Sequence, residues 1–252
     1  MAKITTKDLL DAGVHFGHLT RKWNPQMAPY IFMEKNGIHI IDLNKSLKCL
    51  EEAAHALKGV VKSGRKVMFV ATKKQAKEIV ETEAKKLKMP FVTERWLGGM
   101  LTNFATIRKS LKKMQSIDKL IKDEAYQNLA KRERLMVTRE RDKLERVLGG
   151  IADLNRLPAA LFVIDIKREH IAVAEAQKLN IPVFGMVDTN SDPNLVDYPI
   201  PANDDAFKSI QLITQYISAL MEEGLNERKK DKEEAKVGEE EALKREIDKQ
   251  EA

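Results

Sequence analysis

The sequence predicts an α/β fold: an open, mostly parallel sheet with helices on both faces, interrupted by a helical hairpin. Three observations predict it. Short runs that are apolar throughout, KVMFVAT (66–72), AALFVIDI (159–166) and IPVFGMVD (181–188), alternate with stretches of helical spacing, the order expected of β-α-β units with right-handed crossovers. None of these runs alternates apolar with polar, as expected of strands covered on both faces. From Asn103 to about Asp153 the alternation stops and helical spacing takes over.

Taken in order, Thr5 or Thr6 is read as the cap of a short helix over 5–12 that Gly13 stops. VHFGHLTRKWNPQMAPYIF reads as irregular chain, punctuated by Pro25 and Pro29. IHIIDLNKSL reads as a strand running into a helix from about Asn44 to Lys62, capped by Asp42 or Asn44. After KVMFVAT, apolar residues at Ala76, Ile79, Val80, Ala84 and Leu87 predict a helix from Lys73 to Lys88. Pro90 ends it, and PFVTE is a second strand. Further on, 167–179 is a helix and YPIP (198–201) a short strand that its prolines keep at an edge. Residues 204–222 are a helix with Ala206, Ile210, Ile213, Ile217 and Leu220 on one face.

Within the interruption, Ile107, Leu111, Met114, Ile117 or Asp118, and Ile121 recur about every 3.5 residues. Val137, Leu144, Leu148 and Ile151 form a second seam, and the polar stretch KDEAYQN separates the two. Two narrow seams joined by a turn predict an antiparallel coiled-coil hairpin projecting from the body. The pairs LGGM (97–100) and LGGI (148–151) flank it and read as bends, since glycine tolerates positive φ. The chain thus divides into a discontinuous α/β domain (1–104 and 151–224), the hairpin (105–150) and a charged tail (225–252), either helical or disordered.

The formal net charge of +6 favours an anionic partner, of which nucleic acid is the commonest. Its distribution says more. Residues 105–150 hold 13 basic and 7 acidic side chains, whereas residues 223–252 hold 8 and 11. The hairpin concentrates the positive charge and the tail partly masks it in the total. The one cysteine, Cys49, allows no disulfide within the chain, and among Leu47, Leu50 and Ala53 it reads as a buried, inert thiol. MAKITTKDLL does not read as a signal peptide, and no apolar run approaches the roughly 20 residues of a bilayer span. The expectation is a cytoplasmic chain with no membrane partner.

An open α/β sheet gathers its binding groups at the carboxyl ends of its strands, here 72–74, 165–168 and 188–192. No GxGxxG or GxxxxGK[ST] follows a strand, and the first such loop, ATKKQ, has no glycine to admit a pyrophosphate. There is no GxSxG elbow either. An enzyme is therefore not expected. Asp165 and Asp188 read as capping or loop-bonding carboxylates, DTNSDPN (188–194) as a turn, and His170 as a capping or surface residue. His15 and His18 form H-x-x-H, which on a helical turn would bring two imidazoles together. With Asp188, Asp204 or Asp205 they would make a zinc site; the plainer reading is hydrogen-bonded or RNA-contacting histidines. No cofactor is expected, and zinc stays open.

Two segments mix basic with aromatic residues: Arg21, Lys22 and Trp23 in TRKWNP, and Arg95 and Trp96, followed by Asn103, in ERWLGGMLTN. Basic groups neutralise phosphate and an indole stacks on an unpaired base. The alternative is a tryptophan that plugs the core beside a solvated cation. The hairpin adds Arg108, Lys109, Lys112 and Lys113, then Lys131, Arg132, Arg134, Arg139, Arg141, Lys143 and Arg146. Glu133, Glu140 and Asp142 can pair with some of them. The remaining excess suits a surface that tracks phosphates.

VHFGHLTRKWNP, RWLGGMLTN, DKLERVLGGI, LFVIDI, IPVFGMVDTNSDP and IPANDDA, in that order, resemble the bacterial small-subunit ribosomal proteins of the universal S-two family. The resemblance covers about 7–224; the tail matches nothing in the pattern. It implies a flavodoxin-like α/β domain with a coiled-coil hairpin that marks bacterial members. It also implies a place on the solvent side of the small subunit, at the junction of head and body, on small-subunit ribosomal RNA. Neighbouring ribosomal proteins would be partners, among them the messenger-binding protein S-one, which the family helps to anchor. RNA contact then falls to Arg21, Lys22, Trp23, Arg95, Trp96 and Asn103, and to the hairpin bases Arg108, Lys109, Lys112, Lys113, Lys131, Arg132 and Arg139. Contact with S-one falls around His18, Asp188 and Asp205.

Overall fold

The computed structural model describes residues 4–250 apart from 124, 125 and 127, with side chains described as far as Asp231. Thr5 starts α1 (Thr6–Asp11) through a reciprocal pair: its hydroxyl accepts from the Asp8 N–H, and Asp8 accepts from the Thr5 N–H at 2.8 Å. Gly13, at φ +73°, turns the chain out of the helix.

The stretch read as irregular contains strands. β1 (Phe16–Leu19), β2 (Ile31–Lys35) and β3 (Ile38–Ile41) form an antiparallel sheet in the order β1-β3-β2. Asn36 and Gly37, both at positive φ, close the β2–β3 hairpin. Four of the five residues of β2 are exposed, so it has no buried face to leave an alternating pattern. The register is irregular in both ladders, which blurs the pattern further.

Next, α2 (Leu43–Lys62) begins where Asp42 Oδ1 accepts from the Asn44 N–H at 3.0 Å. β4 (Val67–Val70), α3 (Lys74–Leu87) and β5 (Phe91–Val92) form the expected β-α-β unit. α4 (Phe104–Lys122) and α5 (Lys131–Leu148) intervene before β6 (Ala160–Ile164), α6 (His170–Lys178), β7 (Val183–Val187), β8 (Tyr198–Pro201) and α7 (Phe207–Gln250).

The main sheet runs β5-β4-β6-β7-β8, with every neighbouring pair parallel. Counted within this sheet, the order is that of flavodoxin-like folds, with its reversal between β4 and β6. β8, with Pro199 and Pro201, holds an edge as its prolines require. The apolar runs serve two cores. Val67 and Phe69 of β4, with Phe162 and Phe184, pack against α2, α3 and α7; Met68, Val70, Leu161 and Val163 pack against α6 and α4 on the other face. Each large side chain so buried contributes about 1.5–3 kcal/mol.

α4 and α5 run antiparallel, tied by Asp118 to Arg141 at 3.0 Å and by a Lys113–Glu140 ion pair; Tyr126 Oη, past the end of α4, meets Thr138 Oγ1 at 2.9 Å. Ile107, Leu111 and Met114 of α4 belong to the second core, so the base of this pair is packed into the body. Part of KDEAYQN lies outside the described residues. α7 extends well beyond the 204–222 expected. Lys58 pairs with Glu223 (3.3 Å) and Glu227 (2.7 Å), and Lys62 with Glu227 (3.0 Å) and Asp231 (3.8 Å). Gly224 lets this helix cross α2 closely: a Cβ there would stand 2.9 Å from the Lys58 carbonyl oxygen. Of the tail, side chains past Asp231 lie outside the described residues.

Candidate functional site

The carboxyl ends of four parallel strands meet in one charged cluster. Lys73 follows β4, Asp165 follows β6, Asp188 follows β7, and Asp204 and Asp205 follow β8. The Lys73 ammonium lies 2.7 Å from Asp204 Oδ1, 2.6 Å from Asp205 Oδ1 and 3.4 Å from Asp165 Oδ2. Asp204 is fully buried, and its Oδ2 has no hydrogen-bond partner. Burial, with the charges of Asp188 and Asp165, pushes the Asp204 carboxyl up to about 7 despite Lys73. Burial alone would lower the Lys73 ammonium, but Asp204, Asp205 and Asp165 outweigh it and hold it above its ordinary value. Asp205, half out in solvent, moves the other way: Lys73 and His18 overcome its partial burial and keep it low. Asp165 also accepts from the Arg168 N–H at 3.0 Å, a loop bond ahead of α6, whose N-cap, Glu169, makes no side-chain capping bond.

His18 closes the cluster on one side. Its Nδ1 lies 3.1 Å from Asp188 Oδ2, and its Nε2 lies 3.1 Å from Asn190 Nδ2 and 3.5 Å from Asp205 Oδ2. The bond to Asp188 raises its affinity for a proton against partial burial. Thr189 locks the main chain, its Oγ1 accepting from the His18 N–H at 2.8 Å. Gly17 makes room for this contact, since a Cβ there would stand 2.5 Å from Thr189 Cγ2.

His15 is not part of the cluster, and the H-x-x-H reading is corrected. No helical turn carries the pair: His18 lies on β1, an extended strand, and His15 precedes it. His15 lines a different hollow, with Phe16, Phe32 and Ile40. Burial there lowers its affinity for a proton. Among the described residues, the group suited to a metal is His18, Asp188 and Asp204, whose ligand atoms lie within 4.8 Å of one another. One imidazole and two carboxylates, one with an unsatisfied buried oxygen, fit the donor set of a divalent ion such as zinc. Lys73 holds the other oxygen of Asp204.

The second RNA segment is built differently from expectation. Trp96 is a core residue, 6% exposed, and its indole N–H donates to Glu175 Oε1 at 3.1 Å. It has no open face for a base, and its place among the RNA contacts is corrected. The same carboxylate of α6 accepts from the N–H groups of Gly99 (2.7 Å), Leu101 (2.9 Å) and Thr102 (3.0 Å), and from the Thr102 hydroxyl (3.1 Å). Burial would raise the Glu175 carboxyl, but these donors hold it below its ordinary value. Gly99 takes positive φ, as read. Gly149 and Gly150 do not; Gly150 is required because a Cβ would stand 2.2 Å from the Phe91 carbonyl oxygen.

The other expected RNA residues are accessible. Arg21 and Lys22 form an exposed turn with Thr20, and Trp23, 38% exposed, rests against the His39 ring at 5.0 Å between centroids. Arg95 and Asn103 are exposed at the foot of α4. Arg108, Lys109, Lys112, Lys113, Lys131, Arg132 and Arg139 are exposed along α4 and α5. Among the described residues, only Lys113 of these seven is held in an ion pair. The sequence reading missed Lys73 and Glu175 as organising residues. Lys73 carries a signal, its place at a strand end; Glu175, within the helix expected over 167–179, carries none.

Among the described residues, no helix is long and apolar enough to cross a membrane. A profile of the family described as ribosomal protein S2 matches residues 9–224. A small ribosomal subunit protein uS2 from Cytophaga hutchinsonii is 70% identical over 249 residues, covering 99% of this chain and 98% of that protein. Proteins of the same name from Flavobacterium johnsoniae (65% identical, 92% of this chain and 91% of theirs) and Parabacteroides distasonis (61%, 95% and 86%) are also similar. With a match over most of its length and relatives of this closeness, the chain belongs to the ribosomal protein S2 family.

Proposed function

We propose that this chain, a structural constituent of the small ribosomal subunit and not a catalyst, attaches there by gripping small-subunit ribosomal RNA with α4, α5 and the 21–23 turn. It works with the ribosome in the cytoplasm and supports translation. The arm over 105–150 is the attaching unit, and 1–104 with 151–224 the body that carries it, at the junction of head and body. One observation carries this reading. Most cations of α4 and α5 are exposed, and Arg108, Lys109, Lys112, Lys131, Arg132 and Arg139, all exposed, have no carboxylate partner among the described residues. Cations left free in solvent release counterions when phosphates replace water.

The reading extends to neighbouring ribosomal proteins, including anchorage of the messenger-binding protein S-one around His18, Asp188 and Asp205. Asp205 offers the accessible carboxylate, at 57% side-chain exposure, while Asp188 is buried and orients His18 from behind.

The test is the salt dependence of binding to small-subunit RNA. Changing Arg108, Lys109 and Lys112 to Gln is expected to lower the slope of log K against log salt by about 0.7–0.9 per cation removed. The same variant should leave small subunits at lower salt during sedimentation. Unchanged slope and unchanged sedimentation would refute attachment through this arm.

A further inference from the structure

A concave cleft of about 470 Å³ lies beside the charged cluster, at the ends of β6 and β7. It is walled by Lys22 and Trp23 from the turn after β1, by Lys167 and His170 at the start of α6, and by Asn190 and Asp192 from the loop after β7. We propose that this cleft receives one unstacked nucleotide of an RNA strand: its base against the Trp23 indole, its phosphate between Lys22 and Lys167. The inference rests on the RNA-attachment reading and deepens it, from a charged surface to a site that takes a single nucleotide.

The chemistry of the walls carries it. Trp23 is braced by His39 and still 38% exposed, so it offers a flat apolar surface whose orientation is already set. A braced aromatic loses little freedom when a base stacks on it. Lys22 and Lys167 are exposed cations from separate segments of the chain, and both line the cleft. Lys167 is steadied by the Asn190 carbonyl oxygen at 3.3 Å, which leaves ammonium hydrogens for a phosphate. The first turn of α6, at His170, borders the cleft and adds the positive end of a helix. Asp192 is the one carboxylate among the lining residues; one of its oxygens accepts from the Asn194 N–H, and the other can accept from the edge of a base. The volume admits a nucleotide, and the position is where open α/β sheets take ligands. Lys22 and Trp23 are neighbours in the sequence, and only the fold joins them to Lys167, His170 and Asn190.

The test uses the full chain and its own fluorescence. Trp96 is buried, so quenching by added RNA reports Trp23. The chain is titrated with a single-stranded RNA tetramer, a blunt RNA duplex and adenosine monophosphate. The tetramer is expected to quench saturably and the duplex to bind without quenching. Trp23→Phe should remove the quench, and Lys22→Gln with Lys167→Gln should weaken tetramer binding about tenfold or more. If the tetramer fails to quench while duplex binding still depends on Arg108, Lys109 and Lys112, the cleft proposal falls and RNA attachment stands. If neither RNA binds, both fall. Saturation by adenosine monophosphate at the same concentration as the tetramer would overturn assignment to an RNA strand and give the cleft to a free nucleotide.

Discussion

The Trp96 indole N–H donates to the Glu175 carboxylate at 3.1 Å, across 79 positions of sequence. A single side chain of α6 therefore fixes the loop from which α4 departs. Four further donors from Gly99, Leu101 and Thr102 converge on the same two oxygens. The loop of residues 96–102, ahead of α4, is held by a carboxylate within the body.

Removing that carboxylate should be costly. Glu175→Ala leaves backbone donors without an acceptor and is expected to destabilise the protein by about 2–4 kcal/mol; Glu175→Gln turns an amide NH2 toward N–H donors at one of the two oxygen positions and should cost a comparable amount. Urea unfolding measures both. The folded carboxyl lies below its ordinary 4.5, so its contribution is present at neutral pH and disappears as pH falls through the folded value. Between pH 5 and pH 3, wild-type stability should fall more steeply than that of Glu175→Gln. Parallel curves would show that the carboxylate charge is not what holds the loop.

Lys73 answers three aspartates, and Lys73→Met should cost about 3–5 kcal/mol at pH 8, where buried Asp204 must either stay charged without its partner or take up a proton. Asp204 titrates at about 7 in the folded protein against an ordinary 3.8. A carboxyl raised on folding stabilises fully below the unfolded value, and that stability is lost as pH rises through the folded one. Lys73→Met should accordingly be less harmful at pH 5 than at pH 8, and Asp204→Asn should flatten the wild-type fall in melting temperature between about pH 4 and pH 7. Equal losses for Lys73→Met at both pH values would contradict this arrangement.

The glycines of the two Gly-Gly pairs should separate cleanly. Gly98→Ala meets nothing within 4 Å and should be close to neutral. Gly150→Ala drives a methyl onto the Phe91 backbone and should cost about 1–3 kcal/mol or more. Thermal melts of the two variants decide it, and similar values for both would argue that the chain at Gly150 relaxes freely.

His18, Asp188 and Asp204 present donors for one divalent ion. Zinc is expected to raise the melting temperature of the wild type, since an ion bound only by the folded state adds stability with concentration. His18→Ala should abolish the shift and His15→Ala should leave it intact, because His15 lines another hollow. Equal shifts in the wild type and His18→Ala would place any bound zinc elsewhere.

Much of the fold was legible because it is periodic. The runs at 66–72, 159–166 and 181–188 are apolar on both faces, and they became the central parallel strands with one core on each side. Helical spacing located α2, α3 and α4 within a few residues. β2 was not legible, because a strand that buries almost nothing has no pattern to show. Trp96 and Trp23 each sit among basic neighbours, yet one is core and the other surface. Local composition cannot separate them; the presence of Glu175 opposite the first does.

By itself, the sequence determined the parallel α/β body, the two basic helices and the absence of a phosphate-gripping glycine loop, since these follow from spacing and residue type over short windows. Only the tertiary structure decided that His18 faces Asp188 while His15 does not. It alone decided that Lys73 joins Asp204 across 131 positions, and that Glu175 holds the foot of the arm. Polar contacts between distant residues arise from how strands and helices are ordered in space, and they leave no periodic trace along the chain.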